Sequence, residues 1–261
     1  MVCLFRFLLL ATCLTSSAVW AESPWQPSGQ LRWDWQLSEP IKLDRTLDVI
    51  DLDLFDTDAK TVTQLKARGI RTICYINVGA WENWRPDRHA FPKDILGHDF
   101  DGWEGERWLD IRQIDQLAPI IRARFDLCRD KGFDAIEPDN MDAYQNGTGF
   151  AISRDDQLRY NRWLAQEAHK RGLSIGLKNT PDLAAELADQ FDWALTEECF
   201  AESWCGDMQP FLQSGKAVFA TEYEDQAINA DQFCAHADRL GLSGLIKKHA
   251  LDAWWRPCLL K

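Results

Sequence analysis

The chain has 261 residues, 46% of them hydrophobic, and carries 29 lysines and arginines against 41 aspartates and glutamates. That length and apolar content can bury a sizeable core, which excludes an intrinsically disordered protein and allows one large domain or two small ones. A formal net charge of −12 disfavours nucleic acid and anionic membrane surfaces as partners and favours a cationic ligand.

The first stretch, MVCLFRFLLLATCLTSSAVWA, joins a single Arg6 to an apolar run from Phe7 to Leu14 and closes on Val19-Trp20-Ala21. It reads as a secretory signal over residues 1–21, leaving residues 22–261 as a secreted or periplasmic single domain. Losing residues 1–21 removes Arg6 and no acid, so 28 basic and 41 acidic residues remain and the net charge becomes −13. No other segment approaches the roughly 18 consecutive apolar residues of a membrane span.

Past the signal, a recurring phrase organises the chain: an amphipathic segment, a basic or polar residue, a glycine, then a short apolar run. It appears as ARGIRTICYINV, DKGFDAIEPDN, KRGLSIGLKN, QSGKAVFATEY and RLGLSGLIKKH. A glycine just past a helix supplies the left-handed residue that ends it, and cations in the last turn suit the helix dipole, so each phrase reads as helix, stop, strand. The spacing of Leu117, Ile121, Phe125 and Cys128, and of Tyr160, Trp163, Leu164 and Ala168, predicts the preceding helices. Thr57, Ser153 and Asn229 are the expected N-caps.

The predicted strands, in order, are Trp33–Leu37, Val49–Phe55, Thr72–Val78, Ala135–Asn140, Ser174–Asn179, Trp193–Glu198, Ala217–Tyr223 and Gly244–His249. Eight short Ile/Val/Leu-rich strands alternating with helices predict a single-domain (β/α)8 barrel, with a doubly wound sheet as the alternative. The first unit is the weak one, because too few residues separate its two strands for a full helix. No GxGxxG follows any strand, which counts against dinucleotide binding. Between Gly79 and Asp115 runs one unusually long connection, holding Trp81, Trp84, Trp103 and Trp108; a loop of that size in a compact domain is normally functional.

Six cysteines follow the signal, and an even number in an exported chain predicts disulfides. Cys199 with Cys205, flanking a short polar loop, is the first choice, followed by Cys74 with Cys128 and Cys234 with Cys258. Neither CxxC pairs nor a histidine cluster suggest structural zinc.

In a barrel the functional residues sit at the C-terminal ends of the strands. Those ends carry Asp51 and Asp53, Tyr75 and Asn77, Glu137 and Asp139, Lys178 and Asn179, Glu197 and Glu198, Glu222 and Tyr223, and Lys247, Lys248 and His249. Alternation puts Glu137 and Asp139 on one face of their strand, and Asp51 and Asp53 on one face of theirs. Burying so many ionisable groups is costly unless they are hydrogen-bonded, metal-bound or catalytic. Two chemistries fit: paired carboxylates for glycoside hydrolysis, or Asp139, Asn140 and Asp142 as hard ligands for a divalent cation. Thirteen tryptophans suit stacking on sugar faces better than phosphate binding. There is no nucleophile elbow and no P-loop, and of the scattered histidines only His249 is a site candidate.

The motifs WDWQLSEPI, DVIDLDLFDT, ICYINVGAWENWRPD, WLDIR, GFDAIEPDNMDAY, YNRWLAQEAHKRGLSIGLKN, WALTEECF and AVFATEY together resemble glycoside hydrolase family 114, the endo-α-1,4-polygalactosaminidases. The resemblance runs from about Trp33 to at least Tyr223. It implies a (β/α)8 barrel that hydrolyses α-1,4-linked galactosamine polymers with retention, using an Asp on the fourth strand and a Glu on the sixth. By motif these are Asp139, the nucleophile, and Glu197, the general acid/base, with carboxyl groups about 5 to 5.5 Å apart. The expected substrate contacts are Asp53, Tyr75, Trp81, Glu82, Asp110, Glu137, Asn140, Asp142, Lys178, Asn179, Glu222 and Tyr223. Among them Asp53, Glu82, Asp110 and Asp142, together with Asp51, are candidates to receive ammonium groups of a cationic amino-sugar polysaccharide. No cofactor or metal is expected, and a monomer is. Where many relatives read Asn-Glu-Gln-Cys, this chain has Thr196-Glu197-Glu198-Cys199, a second acid beside the catalytic one. A non-catalytic sugar-binding barrel and a metal-dependent hydrolase are the alternatives.

Overall fold

The computed structural model describes residues 23–226 and 228–258; the expected signal, residues 1–21, lies outside them. In chain order the strands are β1 (Trp33–Gln36), β2 (Val49–Asp53), β3 (Arg71–Asn77), β4 (Ala80–Glu82), β5 (Leu96–Asp99), β6 (Glu106–Leu109), β7 (Ala135–Asp139), β8 (Ser174–Lys178), β9 (Trp193–Glu197), β10 (Val218–Tyr223), β11 (Ser243–Lys247) and β12 (Arg256–Pro257). The α-helices are α1 (Ala59–Ala67), α2 (Ile114–Lys131), α3 (Arg154–His169), α4 (Ala184–Leu187), α5 (Gln209–Gln213) and α6 (Ala230–Leu240).

The main sheet runs β1-β2-β3-β7-β8-β9-β10-β11-β12, and its first eight strands, the eight predicted ones, are joined by parallel ladders. It is a (β/α)8 barrel, nearly closed. Among the described residues no ladder joins β1 to β11; antiparallel β12 lies on β11 instead. Side chains bridge that seam: the Trp33 indole donates to Ser243 O at 2.8 Å, and the Trp255 indole to Trp33 O at 2.8 Å. Lys247 Nζ reaches Asp34 Oδ1 at 3.0 Å, and Arg45 meets the other oxygen of the same carboxylate.

Strand alternation separates two cores. Inward residues, among them Trp33, Trp35, Val49, Ile73, Ala135, Trp193, Leu195, Phe219 and Leu245, fill the barrel. Their outward neighbours, such as Ile50, Leu52, Cys74, Ile136, Ile175 and Ala194, pack under the helices. Gly176 faces inward because the Trp193 indole occupies its side: a Cβ there would stand 2.4 Å from the ring. The five glycines of the recurring phrase, Gly69, Gly132, Gly172, Gly215 and Gly241, all have φ between 72° and 91°, as a left-handed helix stop requires.

Ser153 caps α3 in a capping box with Asp156, and Asn229 caps α6 by accepting from Gln232 N. At α1 the cap is Asp58, which accepts from Thr61 N at 2.7 Å, while the expected Thr57 is buried one residue earlier. No helix connects β1 to β2. The long connection after β3 folds into an antiparallel sheet, β4-β6-β5, where the sequence suggested only a loop. All three expected disulfides form, and Cys74–Cys128 ties β3 to α2 across 54 residues.

Candidate active site

At the C-terminal mouth of the barrel, one ammonium group organises the acids. Lys178 Nζ, at the end of β8, lies 2.7 Å from Glu137 Oε1, 2.9 Å from Asp139 Oδ1 and 3.1 Å from Glu197 Oε2. The indole of Trp35 covers it from below, with its ring centroid 4.7 Å away. Burial alone would lower the Lys178 pKa, but the charges of Asp139, Glu137 and Glu197 outweigh it and hold the ammonium well above its ordinary range. Since Asp139 Oδ1 and Glu197 Oε2 share this one contact atom, they lie at most about 6 Å apart, the two contacts laid end to end.

Each acid of the facing pair has a phenol of its own. Tyr75 donates to Asp139 Oδ2 at 2.8 Å, and Tyr223 donates to Glu197 Oε1. Burial, followed by the charge of the carboxylate it serves, pushes each phenol well above its usual pKa, so both stay protonated donors. Asn179 brackets Glu197, accepting from its backbone N–H at 2.9 Å. His249 stacks on Tyr223 with centroids 3.9 Å apart and bonds Asp225 at 2.9 Å.

The residues just past β7, β8 and β9, namely Asn140, Asn179 and Glu198, all have left-handed φ of 63°, 49° and 60°. Asn tolerates this region; Glu does not do so readily, and such strain concentrates at functional sites. Gly79 lets the chain leave β3 against this turn, since a Cβ there would collide with Asn140 O at 1.8 Å.

Above these groups opens a cleft of about 670 Å³. Its far wall is the β4-β6-β5 sheet, contributing Glu82, Glu106 and Trp108, with Trp84, Phe100 and Trp103 from the turns beside its strands. Trp84 and Trp103 are 49% and 55% exposed, free faces of the kind that stack on sugar rings. Glu82 and Glu106 stand opposite one another across β4 and β6. Burial pushes Glu82 up to about 7 against the pull of Arg85 and Arg124. Glu106 reaches about 8 through burial and the charges of Glu82 and Asp139, with Asn77 donating to it at 3.1 Å.

The sequence-predicted residues divide accordingly. Asp53, Tyr75, Glu82, Asp139, Asn140, Asp142, Lys178, Asn179, Glu197 and Tyr223 line the cleft. Asp53 is clamped by both terminal nitrogens of Arg85 at 2.9 and 2.6 Å. Glu137 lies beneath Lys178, fully buried, and Asp51 is buried deeper in the barrel beside it. Trp81, Asp110 and Glu222 are placed off the cleft. The Trp81 indole donates to Arg88 O, Asp110 holds Arg112, and Glu222 faces the helix shell, accepting from Phe200 N and Ala201 N. Glu106 was missed by sequence reasoning; a carboxylate at the start of a strand in a supposed loop looks solvated. Among the described residues no group of three or more His, Cys, Asp or Glu side chains is placed to hold a metal ion.

The profile of glycoside hydrolase family GH114 matches residues 15–261. The crystal structure of Aspergillus fumigatus Ega3 in complex with galactosamine superposes with a TM-score of 0.86 at 34% identity, covering 92% of this chain and all of that one. The glycoside hydrolase domain of Pseudomonas aeruginosa PelA shares the fold, with a TM-score of 0.67, 14% identity, and coverage of 88% of this chain and 98% of that one. No curated protein matches the sequence. With a barrel of the expected topology and a family profile spanning nearly its whole length, the chain belongs to glycoside hydrolase family GH114.

Proposed function

We propose that this glycoside hydrolase cleaves α-1,4-linked galactosamine polymers with retention, Asp139 acting as nucleophile and Glu197 as general acid/base. The observation that carries the reading is the facing pair: Asp139 Oδ1 and Glu197 Oε2 held within about 6 Å of each other across one ammonium, which suits a retaining pair with carboxyl groups about 5 to 5.5 Å apart. Glu197 gives its proton to the leaving oxygen while Asp139 attacks the anomeric carbon. In the second half-reaction Glu197 takes a proton from water, which displaces Asp139 and restores the starting anomer. Tyr75 holds the nucleophile's second oxygen and fixes its direction of attack.

The charge pattern supports a cationic substrate. Asp53 and Asp110 are matched by the protein's own arginines, and Glu82 by Arg85 and Arg124. Among the described residues Glu106 and Asp142 form no ion pair, and burial, against the weaker pull of Arg85 and Lys178, raises both above the usual carboxylate range. A sugar ammonium brought beside them would favour their ionised form and gain an ion pair shielded from water. The amino sugar in the Ega3 complex points to the same ligand class, and an exported enzyme would meet such a polymer outside the cell.

The test is hydrolysis of de-N-acetylated galactosaminan by the wild type, Asp139→Asn and Glu197→Gln, each with and without chelator, following product anomers by NMR. The expected result is retained configuration, loss of activity in both variants and no effect of chelator. Full activity in either variant would remove the assigned roles; inversion would remove the nucleophile.

A further inference from the structure

Beneath Lys178 the barrel holds a second pair of acids that the proposed reaction does not use. Asp51 is fully buried, and neither of its carboxyl oxygens accepts a hydrogen bond. Glu137, also fully buried, accepts from Lys178 through Oε1, while its Oε2 has no donor. The charged groups acting on Asp51 are Glu137 from β7 and Lys178 from β8; its register partners on the flanking strands, Trp35 and Ile73, carry no charge. One ammonium, already shared by Glu137, Asp139 and Glu197, cannot also offset a further buried anion on Asp51.

From this geometry we infer that Asp51 carries a proton and donates it to Glu137, making Asp51 a positioning residue that fixes Glu137 and, through it, Lys178. A single O–H···O bond then satisfies the orphaned Glu137 oxygen and removes the need for a second cation. The proton belongs on Asp51, because Glu137 has the ammonium and Asp51 has none. Burial pushes Asp51 well above the usual carboxylate range, with the charge of Glu137 adding to it.

The consequence for the reaction rests on the roles proposed above. With Asp51 neutral and Glu137 fixed as an anion, Lys178 is tethered from below and meets one mobile negative charge from above. That charge sits on Asp139 before glycosyl transfer and on Glu197 after it, when Asp139 is esterified and Glu197 has given up its proton. Lys178 is in contact with both, so it stays paired through both half-reactions and the net charge of the cluster does not change.

Two measurements test the inference. Carboxyl-carbon NMR of protein labelled at aspartate should show, in the free enzyme from about pH 5 to about pH 8, one aspartic acid signal in the protonated range, absent from Asp51→Asn. In turnover, Asp51→Ala should lower kcat about tenfold or more with a smaller change in KM, since a buried hydrogen bond to a charged group is lost. Asp51→Asn, whose amide can donate to the same Glu137 oxygen, should restore kcat to within about threefold, with the pH profile of the wild type. An ionised Asp51 signal at neutral pH overturns the inference, and so does an Asn variant no better than Ala at equal melting temperature. The NMR result needs no substrate: a protonated Asp51 in a protein inactive on galactosaminan would place the failure in the proposed reaction.

Discussion

Replacing Lys178 by Met removes the charge that three carboxylates share while keeping most of the side-chain volume over Trp35. The side chains of Glu137, Asp139 and Glu197 are 1%, 19% and 25% exposed, so the charges left behind on Glu137 and Asp139 are poorly solvated. Removing one partner of a buried ion pair costs about 3–5 kcal/mol, and that range is expected for Lys178→Met at about pH 8. Glu137 fixes the sign of the pH dependence. Its folded pKa is already raised by burial, against the opposing pull of Lys178, and losing the ammonium raises it further. A carboxyl with a raised folded pKa contributes stability below its unfolded value, about 4.5, and loses it as pH rises through the folded value. The deficit of the variant should therefore be largest at about pH 8 and shrink towards about pH 5, where protonation relieves the unpaired charge. Urea unfolding at both pH values, with an unchanged m-value, measures it. The same variant should lose at least about a hundredfold in kcat/KM, as expected when a fixed charge at the reacting centre is removed. A pH-independent deficit, or one under about 1 kcal/mol at the higher pH, would refute Lys178 as the charge centre of the site.

Glu82 and Glu106, raised to about 7 and about 8, contribute stability at acid pH that is lost as pH rises through those values. Glu106→Gln should accordingly flatten the fall in melting temperature between about pH 5 and about pH 8, and should weaken galactosamine-oligomer binding in calorimetry; an unchanged slope would discount the burial of Glu106. Trp84→Ala and Trp103→Ala should raise KM for the polymer by about three- to tenfold, the effect of losing one stacking contact, while leaving hydrolysis of a short chromogenic substrate nearly unchanged. Equal losses on both substrates would mean that these rings support the site instead of the polymer. Replacing both Cys74 and Cys128 by Ser frees a loop of 54 residues and should cost about 4 kcal/mol by the chain-entropy relation; an unchanged urea midpoint would contradict that account.

The barrel was legible because its signals are local. Helix-stop glycines, short apolar strands and the Ser153 and Asn229 caps each act within a few residues, and all appear where the sequence placed them. The β4-β6-β5 sheet was not legible, since its strands have three or four residues and form only through pairing across the connection. Glu106 was hidden with them. Reading strand ends as a set also gathered too much: Glu222 and Tyr223 are adjacent, yet alternation sends the phenol to Glu197 and the carboxylate to the helix shell. Which acids are free for a ligand is a three-dimensional property. Asp53 meets Arg85 across 32 residues of chain and Asp34 meets Lys247 across 213, separations that no motif encodes.

The proposed roles assign reaction and selection to different parts of the molecule. Glu137, Asp139, Lys178 and Glu197 project from parallel strands whose ladders fix their height in the barrel, and a one-residue slip in any ladder would turn the acid away from the mouth. Glu106 lies on the inserted sheet and Trp84 and Trp103 in its turns; the insert touches the reacting centre through the Asn77–Glu106 hydrogen bond and the backbone around Gly79. Exchanging residues on that sheet can change which sugar is held without moving the facing acids. The linking contact is itself sensitive to charge: Asn77 donates to Glu106 whether or not that carboxyl is ionised, but the bond strengthens when an ammonium ligand draws out the proton. Binding of an amino sugar would then tighten the insert against β3, so the group proposed to recognise the sugar would also firm the strand that carries Tyr75 to Asp139.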